Sequence, residues 1–324
     1  MEQLIQMRGL EMTTLTQVNN MRVQRIRAIS STVDSVERSL NFYTEAFDCK
    51  LVSDLTTNGS YYSKLEGIQQ TQIRIVTLQL GNEQIELREY LDMAGKPIPT
   101  DSQSNDWFQH MAIVVSDIDR AYEQIKILAI EPISNGLQTL PNGIRAFKFK
   151  DPDGRDLELI WFPPDQSKDK WQQNTEQLFL GIDHSAIAVA NTEQSLKFYR
   201  DLLGLEVEQS NINSGKIQAH LDGLSEAKVR VTSLVSQGGM GIELLDYIVP
   251  GTGRPFPNDW QSYDLATMQI QLVVEDIDAA VSTLRENGTE TISSQIVQFP
   301  DSYPYRQAYS VKDPNGHNIT LITL

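Results

Sequence analysis

The stretch "WFQHMAIVVSDIDRAY", residues 107–122, reads as strand, turn and helix in quick succession. With a period of two, Met111, Ile113 and Val115 share one face of a strand, and His110, Ala112 and Val114 share the other. Ser116 or Asp117 is then placed to cap a helix whose Ile118, Ala121, Tyr122, Ile125 and Leu128 form an apolar stripe. An imidazole at the mouth of such a strand is conspicuous in a chain with only 4 histidines. Downstream, "IRAFKF" alternates as a strand should, and "DPDG" at 151–154 sets a tight turn before a closing strand, "LELIWF".

Working outward, the pattern recurs. "SLNFY" at 39–43 returns as "SLKFY" at 195–199, and "IELREYL" at 85–91 as "IELLDYI" at 242–248. "GKPIPTD" at 95–101 returns as "GRPFPND" at 253–259, and "VVSDIDRA" at 114–121 as "VVEDIDAA" at 273–280. "DPDGRDLELI" at 151–160 returns as "DPNGHNITLI" at 313–322. The offset drifts only from 156 to 162 along these five colinear matches, so one half of the chain duplicates the other. Each half divides again into two units of strand, helix and three strands. The reading is a first half over 23–162, with modules at 23–91 and 106–162, and a second over 179–324, with modules at 179–248 and 265–324. A polar linker with no apolar period, at 163–178, separates the halves, and residues 1–22 are an extension before Val23.

Four βαβββ modules, an opening-strand His, a closing-strand Glu and the DPDG hairpin together resemble the vicinal oxygen chelate superfamily. That superfamily includes glyoxalase I, methylmalonyl-CoA epimerase, the extradiol dioxygenases and the bleomycin-resistance proteins. The resemblance covers nearly the whole chain after residue 23. It implies an α+β fold in which pairs of modules form two eight-stranded, cup-like half-barrels with helices outside and a divalent metal on an inner face.

Its ligand positions are the first-strand His, sometimes Gln, and the last-strand Glu of two partner modules. The first module supplies Ala28 and Glu86, the second His110 and Glu158, the third His184 and Glu243, and the fourth Gln269 and Thr320. If consecutive modules share a cup, neither site is complete. If module two pairs with three and one with four, His110, Glu158, His184 and Glu243 form one full set. That crossed pairing resembles tandem glyoxalase I chains and is preferred because it gathers the good ligands. The cup of modules one and four is then expected to hold no metal, and Glu86, lacking partners, reads as a solvent-facing strand residue. Two imidazoles and two carboxylates make a neutral site around Ni, Zn, Co, Mn or Fe(II).

An arginine precedes the closing strand in each module: Arg74, Arg145, Arg230 and Arg306. Arginine holds carboxylates in a bidentate fork, so Arg145 and Arg230 are candidate holders of an anionic substrate. His220 and His317 match nothing in other modules and read as surface or pocket residues.

Composition excludes several classes. A formal charge of −16 argues against nucleic acid and anionic membranes as partners. A single cysteine, Cys49, rules out an internal disulfide and any multi-cysteine metal site, and reads as a small buried hydrophobe. No spanning segment or signal peptide is evident, so the expectation is a cytoplasmic monomer or homodimer acting on a small molecule. The resemblance implies a metal-dependent lyase or isomerase of the glyoxalase I or epimerase type, working through a metal-stabilised enediolate, with Glu158 as base. The alternatives are a non-haem Fe(II) dioxygenase using His110, His184 and Glu243, and a metal-free binding or resistance protein.

Overall fold

The computed structural model describes residues 22–107, 109–166, 168–172 and 176–324. The expected extension at 1–22 therefore lies, apart from Arg22, outside the described residues, as does part of the linker.

The first module runs β1 (Val23–Thr32), α1 (Val36–Phe47), β2 (Lys50–Thr57), α2 (Ser60–Glu66), β3 (Ile73–Leu80) and β4 (Glu83–Tyr90). The second runs β5 (Gln109–Val115), α3 (Ile118–Ile127), β6 (Glu131–Pro132), β7 (Gln138–Thr139), β8 (Arg145–Lys150) and β9 (Asp156–Trp161). The third runs β10 (Phe179–Ala188), α4 (Thr192–Leu196, continuing as a π-helical turn over Lys197–Leu202), β11 (Glu206–Ser214), α5 (Lys216–Leu221), β12 (Lys228–Val235) and β13 (Gly241–Val249). The fourth runs β14 (Met268–Val274), α6 (Ile277–Glu286), β15 (Val297–Gln298), β16 (Gln307–Lys312) and β17 (Asn318–Thr323). The short helices α2 and α5 carry no apolar period long enough to be read from sequence.

The modules pair crosswise. One sheet has the order β15-β16-β17-β14-β1-β4-β3-β2, from modules four and one. The other has the order β11-β12-β13-β10-β5-β9-β8-β6, from modules three and two, with β7 also on β8. It counts nine strands rather than eight because its last edge strand is broken into β6 and β7 by a turn at Gly136, where φ is +73°. In each sheet the two modules meet where their first strands run antiparallel, β1 on β14 and β10 on β5.

Helix starts follow the expected chemistry. The Asp117 carboxylate, not Ser116, accepts from Arg120 N at 3.0 Å, and Asp276 does the same for Ala279 N at 2.9 Å. Alternation then sorts each strand. Met111, Ile113, Leu157, Leu159 and Phe147 pack with the helices in a core shared by the backs of both sheets. Each such fully buried aromatic or aliphatic side chain contributes about 1.5–3 kcal/mol. Tyr43 of the SLNFY motif donates to Asp151 of DPDG at 3.2 Å, and Tyr199 of SLKFY to Asp313 of DPNG at 3.0 Å. The most faithfully repeated motifs therefore join one cup to the other. Cys49 is buried, and burial pushes its thiol up to about 12. No helix among the described residues is long and apolar enough to cross a membrane.

Candidate metal centre

His110 lies on β5, Glu158 on β9, His184 on β10 and Glu243 on β13, all on the concave face of one cup. The pairing of β5 with β10 sets Ala186 opposite His110, and the parallel ladder of β10 and β13 sets Ala186 beside Glu243. A bulge in β10 between Ile182 and His184 then turns Asp183 alongside its neighbour. Gly181 enters that bulge at φ +155°, where a Cβ would fall 2.4 Å from Glu83 Oε2 and 2.9 Å from the Trp171 ring.

The four side chains converge. Glu158 Oε2 stands 3.4 Å from His110 Nε2 and 3.8 Å from His184 Nε2. Glu243 Oε2 is 3.3 Å from His184 Nε2, and Ser233 Oγ donates to Glu243 Oε1 at 2.7 Å. His110, Glu158 and His184 form a tighter group, with ligand atoms all within 4.8 Å of one another, which Glu243 adjoins through His184. Both Nε2 atoms are buried without a hydrogen-bond partner. Two aimed, unpartnered imidazole nitrogens beside two carboxylates, with no thiolate, fit a divalent ion bound through nitrogen and oxygen.

Behind the centre, His184 Nδ1 lies 3.1 Å from Asp183 Oδ2, while Trp171 Nε1 donates to Asp183 Oδ1 at 3.0 Å and Lys168 Nζ pairs with it at 3.2 Å. This carboxylate fixes the tautomer that leaves Nε2 facing the centre.

The electrostatics separate the imidazoles. Burial, helped by Lys148, pushes His110 down to about 4. Burial opposes protonation of His184 too, but Glu243, Asp183 and Glu158 push it up to about 9. Glu158 would be raised by burial, but His110 and Lys148 hold it at about 2.

The centre opens into a cavity of about 460 Å³. Ile144, Ile160, Phe162 and Leu245 give it an apolar side. Lys148, directly opposite Glu158 in the β8–β9 hairpin, lies on its floor and binds Asp222 Oδ1 at 2.7 Å.

The expected anion-holding arginines are not at this cavity. Arg145 shares its strand face with Phe147 and Phe149, turns toward the helices, and holds Asp119 of α3 at 2.7 and 2.8 Å. Arg230 sits opposite Asp246 on the face away from Val231 and Ser233, which line the cavity. Arg74 likewise pairs with Asp54 at 2.7 Å on the outer face. Lys148, one residue out of phase with Arg145, was overlooked; the register imposed by the DPDG hairpin was the available signal. His220 is exposed, whereas His317 is buried with Nε2 2.9 Å from the Ala188 carbonyl oxygen, so it is neither surface nor pocket.

The equivalent place in the other cup is filled. Glu86 is fully buried rather than solvent-facing, because two arginines that sequence reading missed neutralise it. Arg88 Nε donates to Glu86 Oε1 at 2.7 Å, and Arg88 Nη1 to Glu66 at 2.6 Å and Gln269 at 3.0 Å. Arg27 pairs with Glu86 at 3.4 Å and donates to Gln271 at 2.5 Å. Thr320 donates to Gln269 at 3.1 Å.

The model of the Glyoxalase/Bleomycin resistance protein/Dioxygenase superfamily matches residues 25–159 and 181–321. Among solved structures, glyoxalase I from Zea mays is 19% identical, with a TM-score of 0.61 and 92% of each chain covered. A point mutant of that protein is 18% identical at a TM-score of 0.62, again over 92% of each chain. A candidate dioxygenase from Bacillus subtilis is 11% identical at 0.58, covering 94% of this chain and 86% of that one. At such identities the likeness is one of fold. No curated protein matches the chain.

Proposed function

The chain belongs to the Glyoxalase/Bleomycin resistance protein/Dioxygenase superfamily, and on that premise we propose that it is a divalent-metal-dependent lyase or isomerase acting on a small, oxygen-chelating substrate. The observation that carries this reading is the pair of buried, unpartnered imidazole Nε2 atoms facing two carboxylates at the floor of an open cavity. His110, His184, Glu158 and Glu243 would hold the ion. When bound, it supplies a Lewis acid that polarises neighbouring substrate oxygens and acidifies the C–H beside them.

The chain's own residues then orient and move protons. Asp183 keeps His184 turned with Nε2 toward the cavity. Glu158, in the cavity lining with Oε2 3.4 Å from His110 Nε2, is the proton acceptor we assign. Glu243, fixed at one oxygen by Ser233, is the comparison residue. The apolar side formed by Ile160, Phe162 and Leu245 keeps bulk water from the reacting carbon.

The test is deuterium wash-in from D2O at the carbon next to the carbonyl of a simple α-hydroxyketone, with the chain loaded in turn with Ni, Zn, Co and Mn. Exchange that requires metal and falls at least a hundredfold in Glu158→Gln supports the reading. Metal binding without exchange on any α-hydroxyketone counts against it.

One observation favours a second reading. The tightest cluster is two histidines and one carboxylate, the donor set of non-haem Fe(II) oxygenases, although its carboxylate is Glu158 rather than Glu243. Oxygen uptake with Fe(II) and a catechol, without proton exchange, would select that reading.

A further inference from the structure

The cavity's polar lining bears on the kind of molecule it takes. Four carboxylates line it, Glu158, Asp183, Glu208 and Glu243, against two ammonium groups, Lys148 and Lys168. Both cations are committed, Lys148 to Asp222 at 2.7 Å and Lys168 to Asp183 at 3.2 Å and Glu208 at 3.5 Å. Arg145 and Arg230 are on the other face of their strands. With a divalent ion balancing Glu158 and Glu243, the remaining Asp183, Glu208 and Asp222 outnumber Lys148 and Lys168, so neither lysine of the lining is left to hold an anionic arm.

What the lining offers instead is carboxamide. Asn142, Gln166, Gln209, Asn211, Asn213 and Gln218 all reach the cavity. Gln218 is the telling member. It is 5% exposed, and its Nε2 donates to Asp222 Oδ2 at 2.7 Å. A carboxylate only accepts, so the amide is oriented with Oε1 turned away from Asp222. That Oε1 is buried with no hydrogen-bond partner. A buried acceptor left open at a cavity wall is costly unless a donor arrives. Asp222 thus serves two groups at once, neutralising Lys148 and aiming Gln218.

We infer that the cavity selects an uncharged substrate whose arm beyond the chelating oxygens carries hydroxyl or amide N–H donors, with Gln218 as the specificity-determining acceptor. This rests on the metal-chelating reading above and narrows its substrate class.

The test uses three hydroxamates that share one chelating head. Gluconohydroxamic acid carries a polyhydroxyl arm, succinic monohydroxamic acid a carboxylate arm, and hexanohydroxamic acid an alkyl arm. Each is titrated calorimetrically into the zinc-loaded full chain after its metal content is measured. The polyhydroxyl compound should bind at least tenfold more tightly than the carboxylate one. Gln218→Met should weaken the polyhydroxyl compound roughly fivefold, the effect of one neutral hydrogen bond, and leave the alkyl compound unchanged. Should Gln218→Met not fold, the pair Asn211→Val and Asn213→Val on the exposed strand β11 gives the same readout. Tightest binding of the carboxylate arm, or equal affinity for all three, overturns the inference while leaving the metal centre standing. A wild-type chain that takes up no zinc overturns both.

Discussion

The two cups share one scaffold, and they solve the same charge problem differently. Position 184 is His in the cup of modules two and three, and its counterpart in the other cup is Ala28. Both first strands bulge at the same point, between Ile182 and His184 in one and between Ile26 and Ala28 in the other. The bulge residue is Asp183 in the open cup, where it steadies an imidazole, and Arg27 in the closed one, where it pairs with Glu86. Leu245 borders the cavity, while its counterpart Arg88 inserts a guanidinium between Glu66 and Glu86. A glutamate at the ligand position is thus no mark of a metal site by itself. Where Arg27 and Arg88 supply the cations, the ligand position is a buried ion-pair cluster; where the histidines face inward, it borders a cavity.

The largest expected effect breaks the closed cup. Arg88→Ala leaves the buried Glu66 without a cation and the buried Glu86 with only Arg27 at 3.4 Å, so it should cost about 3–5 kcal/mol in urea unfolding. Metal per folded chain should not change. Unaltered stability would mean that Arg88 does not replace the missing ion.

A smaller effect sharpens the open cup. Asp183→Asn keeps the shape but removes the charge behind His184, and should weaken zinc affinity roughly 10- to 100-fold with little change in melting midpoint. Competition with a colorimetric chelator measures it, and equal affinity would assign Asp183 a purely structural part.

The pH dependence follows from the two imidazoles. His184, raised to about 9, is protonated at neutral pH in the metal-free chain, whereas His110, lowered to about 4, is not. Ion uptake therefore expels one proton, from His184. Apparent affinity should rise roughly tenfold per pH unit from neutrality toward pH 9 and level off above it. A flat profile would show His184 already neutral. The smallest effect is expected outside both cups. Arg145→Ala breaks only a solvent-screened pair with Asp119 and should alter neither metal content nor, measurably, the melting midpoint.

Much of this architecture can be read from the chain. The repeats and the period-two faces placed His110, Glu158, His184 and Glu243 on strand surfaces opposite Leu157, Leu159, Ile242 and Leu244. The crossed pairing emerged from counting ligands, since only that arrangement collected four. What sequence obscured were residues whose role is set by strand register and side-chain packing. Glu86 shares the tripeptide IEL with Glu243, and only Arg27 from the first strand and Arg88 two residues on make it a buried core group. Lys148 and Arg145 are three apart in one strand, so parity alone decides which meets the cavity, and that parity comes from the hairpin turn. Gln218 lies on a helix too short to show a period, so its burial had no signal in the sequence.

The central claim is that a single centre, in the cup of modules two and three, binds the ion. Metal analysis of the purified wild type beside His184→Ala and His220→Ala tests it most directly. The account predicts about one ion per chain in the wild type and in His220→Ala, and none in a folded His184→Ala. Stoichiometric metal retained by His184→Ala, or two ions in the wild type, would contradict it.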